Sequence, residues 1–255
     1  MTDPDVTPAP APSRAEESAA ASAGAAPATA QHVVLVHGAY ADGSSWAEVI
    51  PILQAAGLDV TSVQNPLTSL DDDVAATRRA LDLHDGPTVL VGHSWAGTVI
   101  SQAGDDPKVI GLVYAAARAP EVDEDYAALA ARFPTPPASA GIVHAGGFAQ
   151  LGERAFLDHF AGGVDPVRAR VLYAVQGRIA DTLFASRTTV AAWHEKPCWY
   201  AVSKQDQTTS PDLERFVAQR MGATTIEVDA GHLAILTHPG EIADLILAAC
   251  GIGSA

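Results

Sequence analysis

From about residue 32 onward, short runs that are apolar at successive positions alternate with stretches in which apolar residues recur at every third or fourth position. The first pattern occurs at VVLV (33–36), LDVTSV (58–63), PTVLVG (87–92), VIGLVYAAA (109–117), CWYAV (198–202) and TTIEVD (224–229). A strand that is apolar on both alternating faces has to be covered on both sides. These runs therefore predict an α/β fold: a mostly parallel, doubly wound sheet of about six strands between two helical layers. The second pattern fills the gaps. Trp46, Val49, Ile50 and Leu53 share a helical face, with Pro51 delaying or kinking its start. Ser69 is placed to cap a helix opening on Asp71, Asp72 and Asp73, whose carboxylates face the positive end of the helix dipole. Ser210 and Pro211 begin another, with Leu213, Phe216, Val217 and Met221 inward and Gly222 closing it, and Ile242, Leu245 and Ile246 mark the last.

Two segments depart from this rhythm. Residues 1–31 are Ala, Pro, Ser, Thr and Glu with almost no large apolar side chain, so they cannot offset the entropy of ordering and predict a disordered tail. Residues 119–195 interrupt the alternation between two core strands and read as a mostly helical lid over the carboxyl ends of the strands. The chain thus divides into a tail (1–31), a core (32–118 and 196–255) and a lid (119–195).

Composition narrows the function. A chain of 255 residues can bury one large core. Its net charge of −15, with Lys108, Lys196 and Lys204 scattered, provides no basic face for nucleic acid. It shows no secretory leader and no stretch long enough for a membrane span, so a cytoplasmic protein without a membrane partner is expected. Cys198 and Cys250 have neither metal-ligand nor redox spacing and read as buried thiols. His144, His159 and His194 likewise lack metal-ligand spacing, and no metal is expected.

The chemistry concentrates at strand ends. VLVGHSWAG (89–97) places Ser94 on a strand-to-helix turn of the G-x-S-x-G type, with Ala96 where the second glycine stands. One added methyl, followed by Gly97, is expected to be tolerated. Asp206 follows the strand CWYAV and His232 follows TTIEVD, so all three converge on one edge of the sheet. A serine hydroxyl becomes nucleophilic when an imidazole takes its proton, and a carboxylate orients that imidazole and stabilises its charged form. Those roles fall to Ser94, His232 and Asp206; Asp229 and Asp212 are the neighbouring carboxylates, the former too near His232 in sequence and the latter placed at a helix start. His37, Gly38 and Ala39 end the first strand, so the backbone N–H groups of Ala39 and Trp95 are the expected oxyanion donors. His37 and His93 are expected to bond backbone near the turn. Tyr40 and Trp95 beside the turn, and Trp193, Phe148, Phe156 and Phe160 in the lid, supply candidate pocket walls, Tyr40 and Trp193 foremost.

Through HGAYADGSSW, GHSWAG, VSKQDQTTSPDLERFVAQRM and DAGHLAILTHPGEIADLI the chain resembles the α/β-hydrolase superfamily over roughly residues 32–250, in particular its small lidded esterases related to plant methylesterases and hydroxynitrile lyases. The resemblance implies a cofactor-free serine hydrolase that forms an acyl-enzyme, and the ordered triad beneath a lid bearing several aromatic side chains leads to the expectation of a monomeric or homodimeric carboxylesterase acting on a small or medium, partly apolar ester. The lyases of that branch carry a threonine where this chain has Gly38 and a lysine where it has Leu233, which favours ester hydrolysis here. A lyase or perhydrolase on the same fold, and a receptor that binds without turnover, are the alternatives.

Overall fold

A computed structural model describes residues 29–252; the expected tail lies outside the described residues as far as residue 28. Its last residues join the fold, since Ala30 is buried and its N–H donates to the Cys250 carbonyl.

The first half of the core runs β1 (His32–Val36), α1 (Ile50–Ala55), β2 (Asp59–Ser62), α2 (Leu70–Leu81), β3 (Thr88–His93), α3 (Ala96–Ala103) and β4 (Val109–Ala115). An insertion then carries β5 (Ile142–Ala145), β6 (Phe148–Leu151), α4 (Pro166–Val175) and β7 (Ile179–Ala180). The core resumes with β8 (Cys198–Ser203), α5 (Pro211–Arg220), β9 (Thr224–Val228) and α6 (Pro239–Ala249). All six apolar runs are strands, within two residues of their expected ends.

They form one parallel sheet in the order β2-β1-β3-β4-β8-β9. The inner strands are almost wholly buried, as their two-sided apolar pattern requires, while of the edge strands β2 is half-buried and β9 largely exposed. The direction of travel reverses after β2. With right-handed crossovers this puts α1 and α6 on one face, where they pack on each other, and α2, α3 and α5 on the other. Between β1 and β3 the chain leaves in opposite directions, and this opens a crevice at their carboxyl ends, the usual place for a ligand in such sheets.

Local chemistry explains the boundaries. Pro51 sits in the first turn of α1, where its missing N–H costs nothing. The Ser69 hydroxyl accepts from the Asp72 N–H and caps α2. Asp73 departs from the dipole reading, because its side chain turns inward and is fully buried. The insertion is not purely helical: β5, β6 and β7 make a small antiparallel sheet. Cys198 and Cys250 are free, buried thiols whose pKa burial raises to about 12. No helix among the described residues is long and apolar enough to cross a membrane.

Candidate active site

The crevice between β1 and β3 is walled by two tight turns. After β3 the chain swings into α3 through Ser94, held at φ 55, and after β1 it turns through Tyr40 at φ 60. Left-handed backbone in non-glycine residues costs roughly 1–3 kcal/mol each and persists only where the surroundings enforce it. At Ser94 they do. Its N–H donates to Ala115 O at 3.1 Å, while its carbonyl accepts from Gly97 N (3.1 Å) and Arg118 N (3.0 Å).

The glycines make the elbow possible. A Cβ on Gly92 would stand 2.8 Å from the Ala96 carbonyl oxygen, and one on Gly97 would stand 1.9 Å from the Arg118 carbonyl oxygen. Ala96 itself packs its methyl in the core, so the position with no room for a side chain is 97, not 96.

The turn after β1 is clamped from beneath. His37 Nδ1–H donates to Gly38 O (2.8 Å), its Nε2 accepts from Asn65 N (2.9 Å), and the Asn65 amide donates back to His37 O (2.9 Å). Gly38 fits because a Cβ there would meet Ser94 Cβ at 2.8 Å. Ala39 and Ser94 line the same cavity, and among the described residues the N–H groups of Ala39 and Trp95 have no hydrogen-bond partner in the protein.

On the far side of β4, the loops after β8 and β9 are stitched together by Lys204 N to Val228 O and Gln205 N to Ala230 O, both 3.0 Å. This brings Asp206 against His232, with Asp206 Oδ2 accepting from Nδ1 at 2.5 Å. Asp206 Oδ1 accepts from Thr208 N (2.6 Å) and Thr209 N (2.9 Å). Burial alone would raise the Asp206 pKa, but the His232 imidazole and these N–H donors outweigh it and hold the carboxyl below its ordinary value. Asp229 and Asp212 face solvent, paired with Lys204 and Arg215.

His232 Nε2 is buried with no partner, and its ring stands 5.2 Å from Phe160, which lines the cavity holding Ser94. Among the described residues no Ser94–His232 hydrogen bond is formed. Such bonds are commonly long until substrate draws them in. His93 bonds backbone, its Nε2–H donating to the His232 carbonyl (3.0 Å), and burial holds its pKa down at about 3, so it steadies the His232 loop without carrying charge.

The cavity, about 210 Å³, is lined by Tyr40, Ser94, Arg118, Leu151, Phe160 and Phe184 among others. Two expected walls lie elsewhere. Trp193 faces away from the cavity because its indole N–H donates to Pro120 O (2.8 Å) and its ring stacks on His194. The Trp95 ring is buried behind the turn, its Nε1–H donating to Asp73 Oδ2 at 2.8 Å. Of the phenylalanines named in the insertion, Phe160 reaches this cavity. His144, His159 and His194 bond Asp181, Gln207 and Glu121 separately. One His/Asp set, His32, Asp59 and His84, gathers at the amino ends of β1 and β2, the opposite end of the sheet from Ser94.

Three residues of charged type near the site were not expected there: Asp73, read as facing a helix dipole, and Arg118 and Glu214, which were not singled out. Glu214 is fully buried in α5, its Oε2 accepting from Ser203 N (2.9 Å) while Oε1 has no partner. Burial, reinforced by the negative Asp206, raises its pKa well above the ordinary value, so it stands neutral behind Asp206. The available signal was positional, since each interrupts an otherwise apolar run or helix face.

Comparison with known proteins bears on the family and the fold. A model described as the alpha/beta hydrolase family matches residues 33–245. Methylesterase 2 of Arabidopsis thaliana is 24% identical, aligned over 86% of this chain and 95% of its own length. The carbendazim hydrolyzing esterase of Nocardioides sp. (strain SG-4G) is 31% identical, over 56% of this chain and 62% of its own. Among solved structures, polyneuridine aldehyde esterase superposes with a TM-score of 0.75 at 17% identity, covering 86% of this chain and 98% of that one.

Proposed function

The chain belongs to the alpha/beta hydrolase family, and from that premise we propose that it is a serine carboxylesterase acting on a small, partly apolar ester. The observation that carries the proposal is the buried Asp206–His232 pair, 2.5 Å apart, at the same sheet edge as a serine held on a strained elbow in a cavity. In this reading His232 Nε2 takes the proton as Ser94 Oγ adds to the ester carbonyl carbon, and Asp206 stabilises the imidazolium through Nδ1–H. The oxyanion lies against the N–H groups of Ala39 and Trp95, of which a single donor typically contributes about 3 kcal/mol to lowering the barrier. Collapse expels the alcohol, which takes the proton from His232. Water, deprotonated by the same imidazole, then releases the acid from Ser94.

A cavity of about 210 Å³ favours a small substrate, since sites for drug-sized ligands begin at about 300 Å³. Position 233 holds a buried leucine, so no acid stands there to protonate the leaving group of a cyanohydrin lyase. The test is Ser94→Ala, which should abolish hydrolysis of p-nitrophenyl acetate and labelling by a fluorophosphonate while circular dichroism stays unchanged. Full activity in that variant refutes the proposal, and tight ligand binding by a wild-type protein that resists the probe favours a receptor.

A further inference from the structure

The cavity that holds Ser94 also holds a positive charge that ester hydrolysis does not require. Arg118 follows β4 by way of Ala116, itself at φ 45, and its main-chain N–H donates to the Ser94 carbonyl. The residue is thereby tied to the nucleophile's own backbone. Its guanidinium lies over three aromatic rings, 4.2 Å from the centre of Phe184, 5.1 Å from Tyr126 and 5.4 Å from Trp95. Among the described residues it makes no ion pair and donates no hydrogen bond, and the groups that it senses are the phenols of Tyr126 and Tyr40.

Arg79, Arg132 and Arg170 are likewise without an ion pair or side-chain hydrogen bond among the described residues, but they are exposed, whereas Arg118 is half-buried. Acidic residues outnumber basic ones, 30 to 15. Arg220, the other arginine with little exposure near this wall, is paired with Glu124. Arg118 is half-buried and lines the cavity, so its N–H groups, which have no acceptor among the described residues, are left to solvent or to a ligand. Beside Arg118, Tyr40 lines the same cavity, while its hydroxyl oxygen is buried and without a partner. Burial raises the Tyr40 pKa to about 12, so this group stays a donor at working pH. A single cation thus faces a pocket whose remaining wall combines apolar side chains such as Leu151, Phe160 and Phe184 with the neutral hydroxyl residues Ser139, Thr208 and Thr209.

We propose that the substrate is a short ester bearing a second, free carboxylate, held by the Arg118 guanidinium while its ester carbonyl lies at Ser94. A monoester of a short dicarboxylic acid has this chemistry. One guanidinium matches one carboxylate bidentately, and without a lysine or second arginine in the lining the site suits a singly charged anion better than a phosphate dianion. The proposal rests on the esterase reading above for its chemistry but not for its binding.

Monomethyl glutarate and its neutral isostere methyl 5-methylhexanoate separate the two. Wild-type kcat/KM should favour the half-ester, and Arg118→Met should collapse the ratio of the two values by roughly 30-fold or more, chiefly through KM, as expected when one partner of a buried charged pair is removed. Arg118→Lys, which keeps the charge, should retain part of the preference. Glutarate itself, titrated calorimetrically into Ser94→Ala, should bind, and binding should vanish when Arg118→Met is added. A wild-type enzyme that prefers the neutral ester, or an Arg118→Met variant that lowers both substrates equally, overturns the proposal. If neither ester is hydrolysed but glutarate binds in an Arg118-dependent way, the esterase reading fails and the carboxylate site stands. If glutarate does not bind, the site falls, whatever the esterase activity.

Discussion

Trp95→Phe isolates the contact that anchors the nucleophile turn from behind. The Trp95 indole donates to Asp73 Oδ2 and the Leu67 N–H donates to Oδ1, both at 2.8 Å, and Asp73 is fully buried. Burial raises the Asp73 pKa from 3.8 to about 6, with the two donors opposing the rise. A raised carboxyl pKa means that the folded state binds the proton more tightly than the unfolded state. Stability from this group is therefore full below about pH 4 and lost as pH rises to about 6, a total of about 3 kcal/mol at 1.36 kcal/mol per pKa unit.

Removing the indole N–H leaves a carboxylate with one donor, so its pKa climbs further and the loss continues beyond pH 6. At pH 8 the missing hydrogen bond is to a charged group, worth roughly 1.5–3 kcal/mol; at pH 5 it is to a mostly neutral one, worth roughly 0.5–1.5 kcal/mol. The cavity left by the smaller ring costs the same at both. At about 2–4 °C per kcal/mol for a chain of this size, the Tm deficit of the variant should exceed its pH 5 value by about 2–6 °C at pH 8. Thermal melts of both proteins across that range measure it, and other titrating groups cancel in the difference. Equal deficits at pH 5 and pH 8 would refute a charged Asp73 bonded to Trp95. Because Trp95 also presents an expected oxyanion N–H, kcat should fall in the same variant with KM little changed.

Three further outcomes are expected. Asp206→Asn should keep the fold but lower kcat about 10³- to 10⁴-fold on p-nitrophenyl acetate, since the amide holds the wrong His232 tautomer. Glu214→Gln, a neutral isostere of a carboxyl that is already protonated, should leave kcat within a few-fold, whereas Glu214→Ala should cost about 2–3 kcal/mol in a urea titration by stranding the Ser203 N–H and opening a cavity. Gly97→Ala should destabilise by about 1–3 kcal/mol or more through collision with the Arg118 carbonyl, while Ala96→Gly costs only about 1 kcal/mol of helix propensity; urea midpoints compare the two.

The core strands were legible because burial on two faces leaves an uninterrupted apolar run, a signal that needs no knowledge of partners. The order of Ser94, Asp206 and His232 at successive strand ends was legible for the same reason, once the strands themselves were located. The insertion was not. β5 is largely exposed, β7 is two residues long, and neither carries the alternation that marks a half-buried strand. Trp193 misled because an aromatic residue declares its size but not its direction, and the acceptor that turns it away, Pro120, is 73 residues distant.

The most informative signal was a charge on an apolar face. In α2 the buried face runs through Leu70, Asp73, Val74, Thr77 and Leu81, and in α5 through Leu213, Glu214, Val217 and Ala218. The apolar spacing was visible in both, yet the acidic residue on each face was assigned to the helix dipole or passed over. A charge forced inward by periodicity must find a partner or lose its charge. Asp73 finds the Trp95 indole and the Leu67 N–H, and Glu214 gives up its charge beside Asp206. Arg118, set in the run AAARAP, does neither: a guanidinium remains protonated at any working pH, and no acceptor for it stands among the described residues. Of the three it is also the one that lines the cavity of Ser94, so the partner proposed for it is the substrate.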